Sequence, residues 1–274
     1  MSERTIAQEW AGEFPGRVAL VTGASSLIGV ATIEGLRAGG ARVVACATPR
    51  NAHHLAGLAG DEVTVCIGDL ATEEFLTEIV AACVDGYGGL DYLVSAAAMF
   101  TDPGLTASWE DWHAILDVNV VSVARLLGMC VPHLRTRPGA SAVLVSSISG
   151  RRSQAGRILY PVSKAALLGL SRNAAQTLAD DGIRVNAVLP GWTWSRAHEV
   201  MYGSRERADA FAAEFQYLGR MAEAHEVAEA ILFLLSPRAS FITGTELNVD
   251  GGYLGAGPEA NGQAHVLVPT IAEP

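Results

Sequence analysis

Short, uninterrupted apolar segments alternate along the chain with longer segments whose apolar residues recur every three or four positions. The short segments predict strands that are covered on both faces, because a half-exposed strand would alternate apolar and polar residues. They span residues 17–22, 42–47, 63–67, 92–95, 142–146, 184–188 and 246–249. The longer segments predict amphipathic helices over residues 27–38, 72–84, 109–134 and 225–235, and a further helix that ends near residue 180.

The repeated order of strand, helix and strand predicts an α/β fold: a single doubly wound parallel sheet of about seven strands, with helices on both faces. No internal repeat and no linker divides the sequence. We expect an N-terminal extension over residues 1–16, one domain over residues 17–253 and a C-terminal tail over residues 254–274. Ser108 and Asp111 have the capping-box spacing that marks the beginning of the helix at residue 109.

The composition is that of a globular chain with one large core, since 50% of its 274 residues are hydrophobic and 18% are charged. A net charge of −10 argues against a nucleic-acid surface and against anionic membranes. The first residues lack the plan of a signal peptide, and no uninterrupted apolar run approaches the roughly 18 residues of a membrane span. The cysteines form no C-x-x-C pair, which favours reduced thiols in a cytoplasmic protein over metal ligation.

Tyr160 and Lys164 are the first candidates for chemistry, since a spacing of four places them on one face of a helix. A free tyrosine ionises near pH 10, so a phenol that exchanges protons near neutrality needs a cationic neighbour. The hydroxyl of Ser147, 13 residues upstream, would hold a carbonyl oxygen while that proton moves. The same spacing also occurs where an aromatic residue merely borders a solvated lysine, so the other motifs decide its meaning.

A glycine-containing turn follows the first predicted strand and leads directly into a helix. Gly23 and Gly29 would let backbone N–H groups and the helix N-terminus contact a pyrophosphate. Gly68 and Asp69 follow the third predicted strand, at the same edge of a parallel sheet. These positions together predict a nucleotide site at that edge.

With these motifs, residues 17–253 resemble the short-chain dehydrogenase/reductase family in its Rossmann-like form. The matching motifs are Thr22-Gly23 with Ile28-Gly29, Gly68-Asp69-Leu70, Asp117-Val118-Asn119, Ser147, Tyr160 with Lys164, Arg184-Val185-Asn186, Pro190-Gly191, and Thr243-Gly244 with Asp250-Gly251-Gly252. The resemblance implies NAD(P)-dependent hydride transfer between an alcohol and a carbonyl, by an alcohol dehydrogenase or carbonyl reductase. Two alternatives remain: a non-redox isomerase or dehydratase, and a nucleotide-binding regulatory protein without turnover.

The resemblance implies a catalytic tetrad of Asn119, Ser147, Tyr160 and Lys164. Ser147 and Tyr160 would hold the substrate carbonyl, and Tyr160 would act as general acid or base. Lys164 would bind the nicotinamide ribose hydroxyls and lower the pKa of Tyr160. Asn119 would kink its helix and hold a water that returns the proton through Lys164.

The implied cofactor site spans the glycine turn and the ends of several strands. Asp69 would receive the adenine amino group, its alternative role being a helix N-cap. The Thr193 backbone would bind the nicotinamide carboxamide, and Ser195 stands where relatives usually carry a threonine near the diphosphate. The full set is Gly23, Ser25, Ser26, Leu27, Ile28, Gly29, Thr48, Arg50, Asp69, Leu70, Ala96, Ala97, Tyr160, Lys164, Pro190, Gly191, Thr193 and Ser195.

Three departures from the family pattern lie at the cofactor end of the site. Leu27 replaces a glycine of the usual turn, so its side chain must turn away or push the pyrophosphate outwards. Residues 95–98 read Ser-Ala-Ala-Ala in place of Asn-Asn-Ala-Gly, which removes polar side chains that brace the strands. No acid stands at Ala47 to accept a ribose 2′-hydroxyl, whereas Thr48 and Arg50 would contact a 2′-phosphate. NADP(H) is therefore favoured, and NAD(H) stays open.

Residues 192–218 are expected to form an aromatic-rich lid over the substrate. They indicate an apolar or aromatic alcohol or ketone, unless these rings only pack the lid against the body. Arg151, Arg152 and Arg157 border the same cleft and either bind a carboxylate or phosphate or remain surface residues. The candidate substrate residues are Met99, Phe100, Ser149, Arg152, Trp192, Trp194 and Tyr202. Family members pair through the helices of Asn119 and Tyr160, which implies a homotetramer or a homodimer.

Overall fold

Residues 5–255 are described in the computed structural model, and within them seven parallel strands form one sheet. The strands are β1 (Val18–Thr22), β2 (Arg42–Ala47), β3 (Val63–Ile67), β4 (Tyr92–Ser95), β5 (Ser141–Val145), β6 (Arg184–Pro190) and β7 (Glu246–Val249). Their spatial order, β3-β2-β1-β4-β5-β6-β7, confirms the predicted doubly wound sheet. The order reverses between β1 and β4, and at such a switch point the carboxyl ends of the strands open into a ligand crevice.

Helices cover both faces of the sheet, as predicted. They are α1 (Ile6–Glu9), α2 (Leu27–Ala38), α3 (Glu73–Tyr87), α4 (Trp109–Leu116), α5 (Ser122–Leu134), α6 (Leu159–Leu178), α7 (Arg196–Tyr202), α8 (Arg205–Ala213) and α9 (Ala224–Leu235). Helices α3, α5 and α6 share one apolar cluster with the sheet, and α2 and α9 share the other. Leu20 of β1 faces the first cluster and Val21 the second, because successive strand residues point to opposite faces. With both faces covered, every residue of β1 is buried, which explains its lack of polar alternation.

The described parts of the two predicted terminal segments pack on this domain. Trp10 and Phe14 are buried with stacked rings, 5.6 Å between centroids, and Phe14 meets the Tyr92 ring of β4 edge-on. Leu254 packs against the buried leucines beside β6. The rest of the predicted tail, residues 256–274, lies outside the described residues.

The helix predicted over residues 109–134 is present, and it contains an irregular segment where the resemblance implied a kink at Asn119. Asp111 N–H donates to Ser108 Oγ at 3.1 Å, so the predicted capping box is present. A π-helical segment, Asp117–Val121, then separates α4 from α5, and such a segment kinks a helix. By length and composition Trp109–Leu134 is apolar enough to cross a membrane, which a count of uninterrupted apolar runs misses. The buried apolar residues of α5 pack in the first apolar cluster, as those of a core helix do.

The four cysteines are free and buried. Burial raises the pKa of the Cys130 thiol to about 12, so this thiol stays protonated and packs as a small apolar side chain. Within residues 5–255, no three metal-ligating side chains come together.

Candidate active site

The first turns of α6 bring Tyr160 and Lys164 beside Ser147, which follows β5. Tyr160 is 7% exposed, and the Ser147 side chain lies close enough to its hydroxyl to act on the pKa of the phenol. Lys164 is 2% exposed, and its Nζ donates to the Val145 carbonyl at 2.9 Å. Nζ lies 5.7 Å from the centroid of the Tyr160 ring. Ser147 and Lys164, two of the other three predicted catalytic residues, therefore lie beside the buried phenol of Tyr160.

Burial dominates the electrostatics of these groups. It raises the pKa of Tyr160 to about 12, although Ser147 and the charge of Arg157 act to lower it. Burial also lowers the pKa of Lys164 to about 8, because an ammonium is unfavourable away from water. The net shift is upward because loss of water around the phenol outweighs the charge of Arg157, and the lowering of the Tyr160 pKa by Lys164 stays a prediction.

The short helix after β5 orients Ser147. Ser147 is the N-cap of the 3₁₀-helix Ile148–Gly150, and the Ser149 N–H donates to its Oγ at 3.1 Å. The two serine hydroxyls lie 3.0 Å apart. Ser149, a predicted substrate residue, therefore contacts Ser147 directly, and its role towards a substrate stays a prediction.

Asn119, fully buried in the π-helical segment, joins two parts of the site. Its Oδ1 accepts from the Met99 N–H at 2.7 Å. Its Nδ2 donates to the Met99 carbonyl and to Ser163 Oγ, both at 3.0 Å. The amide therefore joins the segment after β4 to the helix of Tyr160. The predicted irregularity in the helix is present, and the water-holding role stays a prediction.

Sequence reasoning missed Asp102, whose carboxylate caps the helix of Tyr160. Ile158, the N-cap residue of α6, makes no side-chain cap. Asp102 accepts instead from the N–H groups of Ile158 at 2.9 Å, Tyr160 at 3.0 Å and Gly104 at 3.0 Å. Burial alone would raise the pKa of Asp102, but these backbone hydrogen bonds outweigh burial and lower the pKa. In the sequence, Asp-Pro-Gly at residues 102–104 indicates only a local turn. The bond to Ile158, which is 56 residues away, could not be predicted from that pattern.

The turn between β1 and α2 fits a dinucleotide phosphate. Gly23 has a φ of +67°, and a Cβ there would stand 2.5 Å from the Ala96 backbone. A Cβ on Gly29 would stand 2.4 Å from the Gly23 carbonyl oxygen. Ser26 caps α2 by accepting from the Gly29 N–H at 3.0 Å. Leu27 is half-buried at the start of α2, so the two glycines rather than position 27 hold the turn closed and present the helix N-terminus.

The other cofactor candidates follow neighbouring strands at the same edge. Asp69 is exposed, and its Oδ1 accepts from the Ala71 N–H at 3.0 Å. Its alternative role as a helix N-cap is wrong, because Thr72 caps α3. Thr48 and Arg50 are exposed after β2. Pro190 ends β6 and Gly191 follows it, while four further candidates are half-buried: Ser25, Ile28, Leu70 and Ala97.

The lid over residues 192–218 contains the short helices α7 and α8, which the sequence did not predict. Ser195, predicted near the diphosphate, caps α7 by accepting from the His198 N–H at 3.3 Å. The His198 Nδ1 lies 3.0 Å from Ser195 Oγ and 2.8 Å from the Thr193 carbonyl oxygen. His198 is therefore part of the lid framework beside two predicted cofactor residues, although its position outside the motifs gave no sign of this.

Comparison with known proteins agrees with this geometry. The family model described as enoyl-(acyl carrier protein) reductase matches residues 23–254. The chain belongs to the short-chain dehydrogenase/reductase family. It is 35% identical to 3-oxoacyl-(acyl-carrier-protein) reductase FabG of Thermotoga maritima over 243 residues. The aligned region covers 86% of this chain and 97% of that protein.

Two further short-chain dehydrogenases/reductases are similar along most of their length. Cis-4-hydroxycyclohexanecarboxylate dehydrogenase of Sinomonas cyclohexanicum is 36% identical over 246 residues, which is 88% of this chain and 97% of that one. A solved structure from Brucella melitensis, described as a glucose/ribitol dehydrogenase, has a TM-score of 0.81 at 29% identity, over 89% of this chain and 98% of that chain. As a member of this family, the protein is an NAD(P)-dependent oxidoreductase that transfers a hydride, which confirms the predicted fold, family and reaction type.

On the substrate side of this short-chain dehydrogenase/reductase, the candidate rings form two groups. Phe100 is 61% exposed and stacks on the Tyr160 ring with 5.1 Å between centroids, and Met99 precedes it on the segment that Asn119 holds. The lid rings pack mainly within the lid, around Ala208, Ala212 and Met221: Trp192, Trp194 and Tyr202. For these three residues, the structure matches the packing alternative, and contact with a substrate stays a prediction.

The three arginines near the cleft differ in their surroundings. Arg151 pairs with the buried carboxylate of Glu246. Arg152, the predicted substrate residue, donates to a backbone carbonyl near the end of the described chain, at 3.2 Å. Arg157 lies close enough to Tyr160 for its charge to act on the pKa of the phenol, against the larger effect of burial. Arg157 is therefore the arginine of the three that acts on the phenol.

Proposed function

We propose that this oxidoreductase is an alcohol dehydrogenase or carbonyl reductase in which Tyr160 is the general acid or base. The observation that carries the proposal is the buried Tyr160 phenol, which lies beside Ser147 and stacks against the exposed ring of Phe100. With a pKa of about 12, the phenol carries its proton at neutral pH and can give it to a developing alkoxide.

The proposed mechanism uses the residues around this phenol. A bound nicotinamide supplies the hydride in reduction and accepts it in oxidation. Ser147 donates a hydrogen bond to the substrate carbonyl oxygen, and Tyr160 transfers its proton to the same oxygen. Lys164, which is positively charged below a pH of about 8, stabilises the resulting phenolate. In oxidation the phenolate takes the proton from the alcohol hydroxyl.

NADP(H) is the proposed cofactor, in preference to NAD(H). Ala47, the last residue of β2, stands where an acid would repel a 2′-phosphate, and Thr48 and Arg50, which follow the strand, are exposed. The Thr48 hydroxyl and the Arg50 guanidinium are on exposed residues, so a 2′-phosphate can reach both groups.

The proposed substrate is an apolar or aromatic alcohol or ketone. The exposed Phe100 ring beside Tyr160 supports this class, because it offers an apolar surface next to the reacting group. The name of one relative describes a ring alcohol that carries a carboxylate. Arg157, near the phenol, would suit such a group.

We propose further that the protein is a cytoplasmic homotetramer, or a homodimer. Val121, at the end of the π-helical segment, and Val162, on α6, are 48% and 45% exposed, on the helices through which family members pair. Apolar surface of this kind suits pairing between copies. The buried, free cysteines support a reducing compartment.

Tyr160→Phe tests the proposed chemistry. The assay follows ketone reduction and alcohol oxidation at the nicotinamide absorbance, over a panel of substrates, and nicotinamide fluorescence measures cofactor affinity. We expect the rate to fall about 100-fold to 10,000-fold with unchanged cofactor affinity. Tyr87→Phe, which removes a surface hydroxyl bonded to Thr64, is the matched control. Retained turnover in Tyr160→Phe refutes the mechanism, and failure of the unmodified protein to bind either cofactor refutes the function.

A further inference from the structure

Arg196 connects the lid to the glycine turn across the cofactor crevice. It is the first residue of α7, and its Nη1 donates to the Ser25 carbonyl oxygen at 2.8 Å, although the two residues are 171 positions apart. Ser25 belongs to the turn that Gly23 and Gly29 hold closed at the N-terminus of α2. The guanidinium therefore lies at the mouth of the proposed diphosphate site.

The charge of Arg196 has no acidic counterpart in the described chain. Its side chain is half-buried, and within residues 5–255 no carboxylate forms an ion pair with it. Its hydrogen bond to Ser25 uses one of five guanidinium N–H groups, and the acceptor is a neutral carbonyl. A half-buried cation in this state favours an anionic ligand, and a planar fork of donors suits phosphate oxygens.

The charge of Arg196 also acts on the segment that follows β2. His54 lies in the 3₁₀-helix Pro49–Leu55, directly after β2. Burial lowers the pKa of His54, and the positive charge of Arg196 lowers it further. Arg196 therefore contacts the turn after β1, where this fold holds the diphosphate at a helix N-terminus, and its charge also reaches the segment after β2.

We propose that Arg196 binds the diphosphate of the nicotinamide cofactor and ties the lid to it. The inference rests on the proposed function and adds a cofactor residue outside the family motifs. It also gives a role to the altered turn: Leu27 takes the place of a glycine that lets the backbone approach the pyrophosphate, and Arg196 supplies a charged donor from the opposite side.

Arg196→Gln and Arg196→Met test the proposal, because glutamine can keep the bond to Ser25 without the charge and methionine keeps neither. The affinities of NADH and NADPH are measured by nicotinamide fluorescence at low and high salt. We expect both substitutions to weaken both cofactors equally, by roughly tenfold to 100-fold, with a smaller loss at high salt. Arg207→Gln, an exposed arginine on α8 without a side-chain partner in the described residues, is the control and should bind as the unmodified protein does.

The outcomes separate this inference from the proposed function. Unchanged affinity in Arg196→Gln overturns the inference, and so does a loss confined to NADPH, which would assign Arg196 to the 2′-phosphate. If the unmodified protein binds neither cofactor, the proposed function is wrong, and the inference about Arg196 is wrong with it. Near-ultraviolet circular dichroism of each variant verifies that the lid aromatics keep their packing.

Discussion

Replacing Asp102 by alanine should destabilise the helix of Tyr160 and slow the reaction at the same time. The carboxylate accepts from three backbone N–H groups, two of them at the start of α6. Loss of a cap costs about 1 kcal/mol, and loss of a negative charge at a helix N-terminus about 0.3–1 kcal/mol. A backbone N–H left without a partner adds about 1 kcal/mol. The free energy of unfolding should therefore fall by about 2–3 kcal/mol.

Thermal unfolding followed by circular dichroism measures this change. For a chain of this size, the expected loss lowers Tm by about 4–12 °C. The value of kcat should fall about tenfold to 100-fold, because Tyr160 lies in the loosened turn and a displacement of about 1 Å costs that much. Asp61→Ala, which removes an exposed carboxylate without a hydrogen bond in the described chain, is the control. A Tm for Asp102→Ala within about 1 °C of the unmodified protein would refute the reasoning.

The pH dependence of this effect has a definite sign. The pKa of Asp102 lies below its ordinary value of 3.8, so the folded protein binds this proton less readily than the unfolded chain does. The stabilisation is fully present above that ordinary value and is lost as the pH falls through the lower pKa of the folded state. The difference in Tm between Asp102→Ala and the unmodified protein should therefore be constant near neutrality and shrink in acid. A difference that persists at low pH would mean that the charge is not responsible.

Two further substitutions test the site away from the phenol. Gly29→Ala places a Cβ 2.4 Å from a backbone oxygen of the preceding turn, so we expect cofactor affinity to fall at least about tenfold. Gly57→Ala, whose Cβ meets nothing within 4 Å, is the control. Equal affinities of the two variants would contradict the close packing of the turn. Asn119→Ala leaves the Met99 N–H and carbonyl without their partner, so the free energy of unfolding measured in urea should fall by about 2–4 kcal/mol. Ser163→Ala removes one of the three hydrogen bonds of Asn119 and should lower it by about 0.5–1.5 kcal/mol. Equal losses in these two variants would show that the bridge to Met99 contributes nothing.

The local spacing of residues predicts most of the elements. Uninterrupted apolar runs match all seven strands of the described chain within two residues, and β6 differs most because it continues to Pro190. Tyr160 and Lys164 lie on one face of α6 because side chains four apart in a helix are neighbours. The glycine turn is also predicted from local sequence, because one short loop joins Gly23 to Gly29.

The π-helical segment around Asn119 shows where local pattern ends. Its apolar spacing continues from α4 into α5, so the sequence predicts one helix. In the structure the side chain of Asn119 bonds to Met99 and Ser163, which belong to other elements. Those contacts are made only when β4 and α6 are in place, and they accompany a local change in helix geometry that the family resemblance implied and the apolar spacing did not indicate.

By itself the sequence determined the α/β class, the family motifs and the residues of the reacting end, because each depends on neighbours within a few positions along the chain. Only the tertiary structure decided that Asp102 caps the helix of Tyr160, that Arg196 reaches Ser25, and that burial raises the pKa of the phenol. Such contacts join residues tens to hundreds of positions apart. They and the exclusion of water depend on the order of the strands and the packing of both helical layers, which backbone periodicity does not specify.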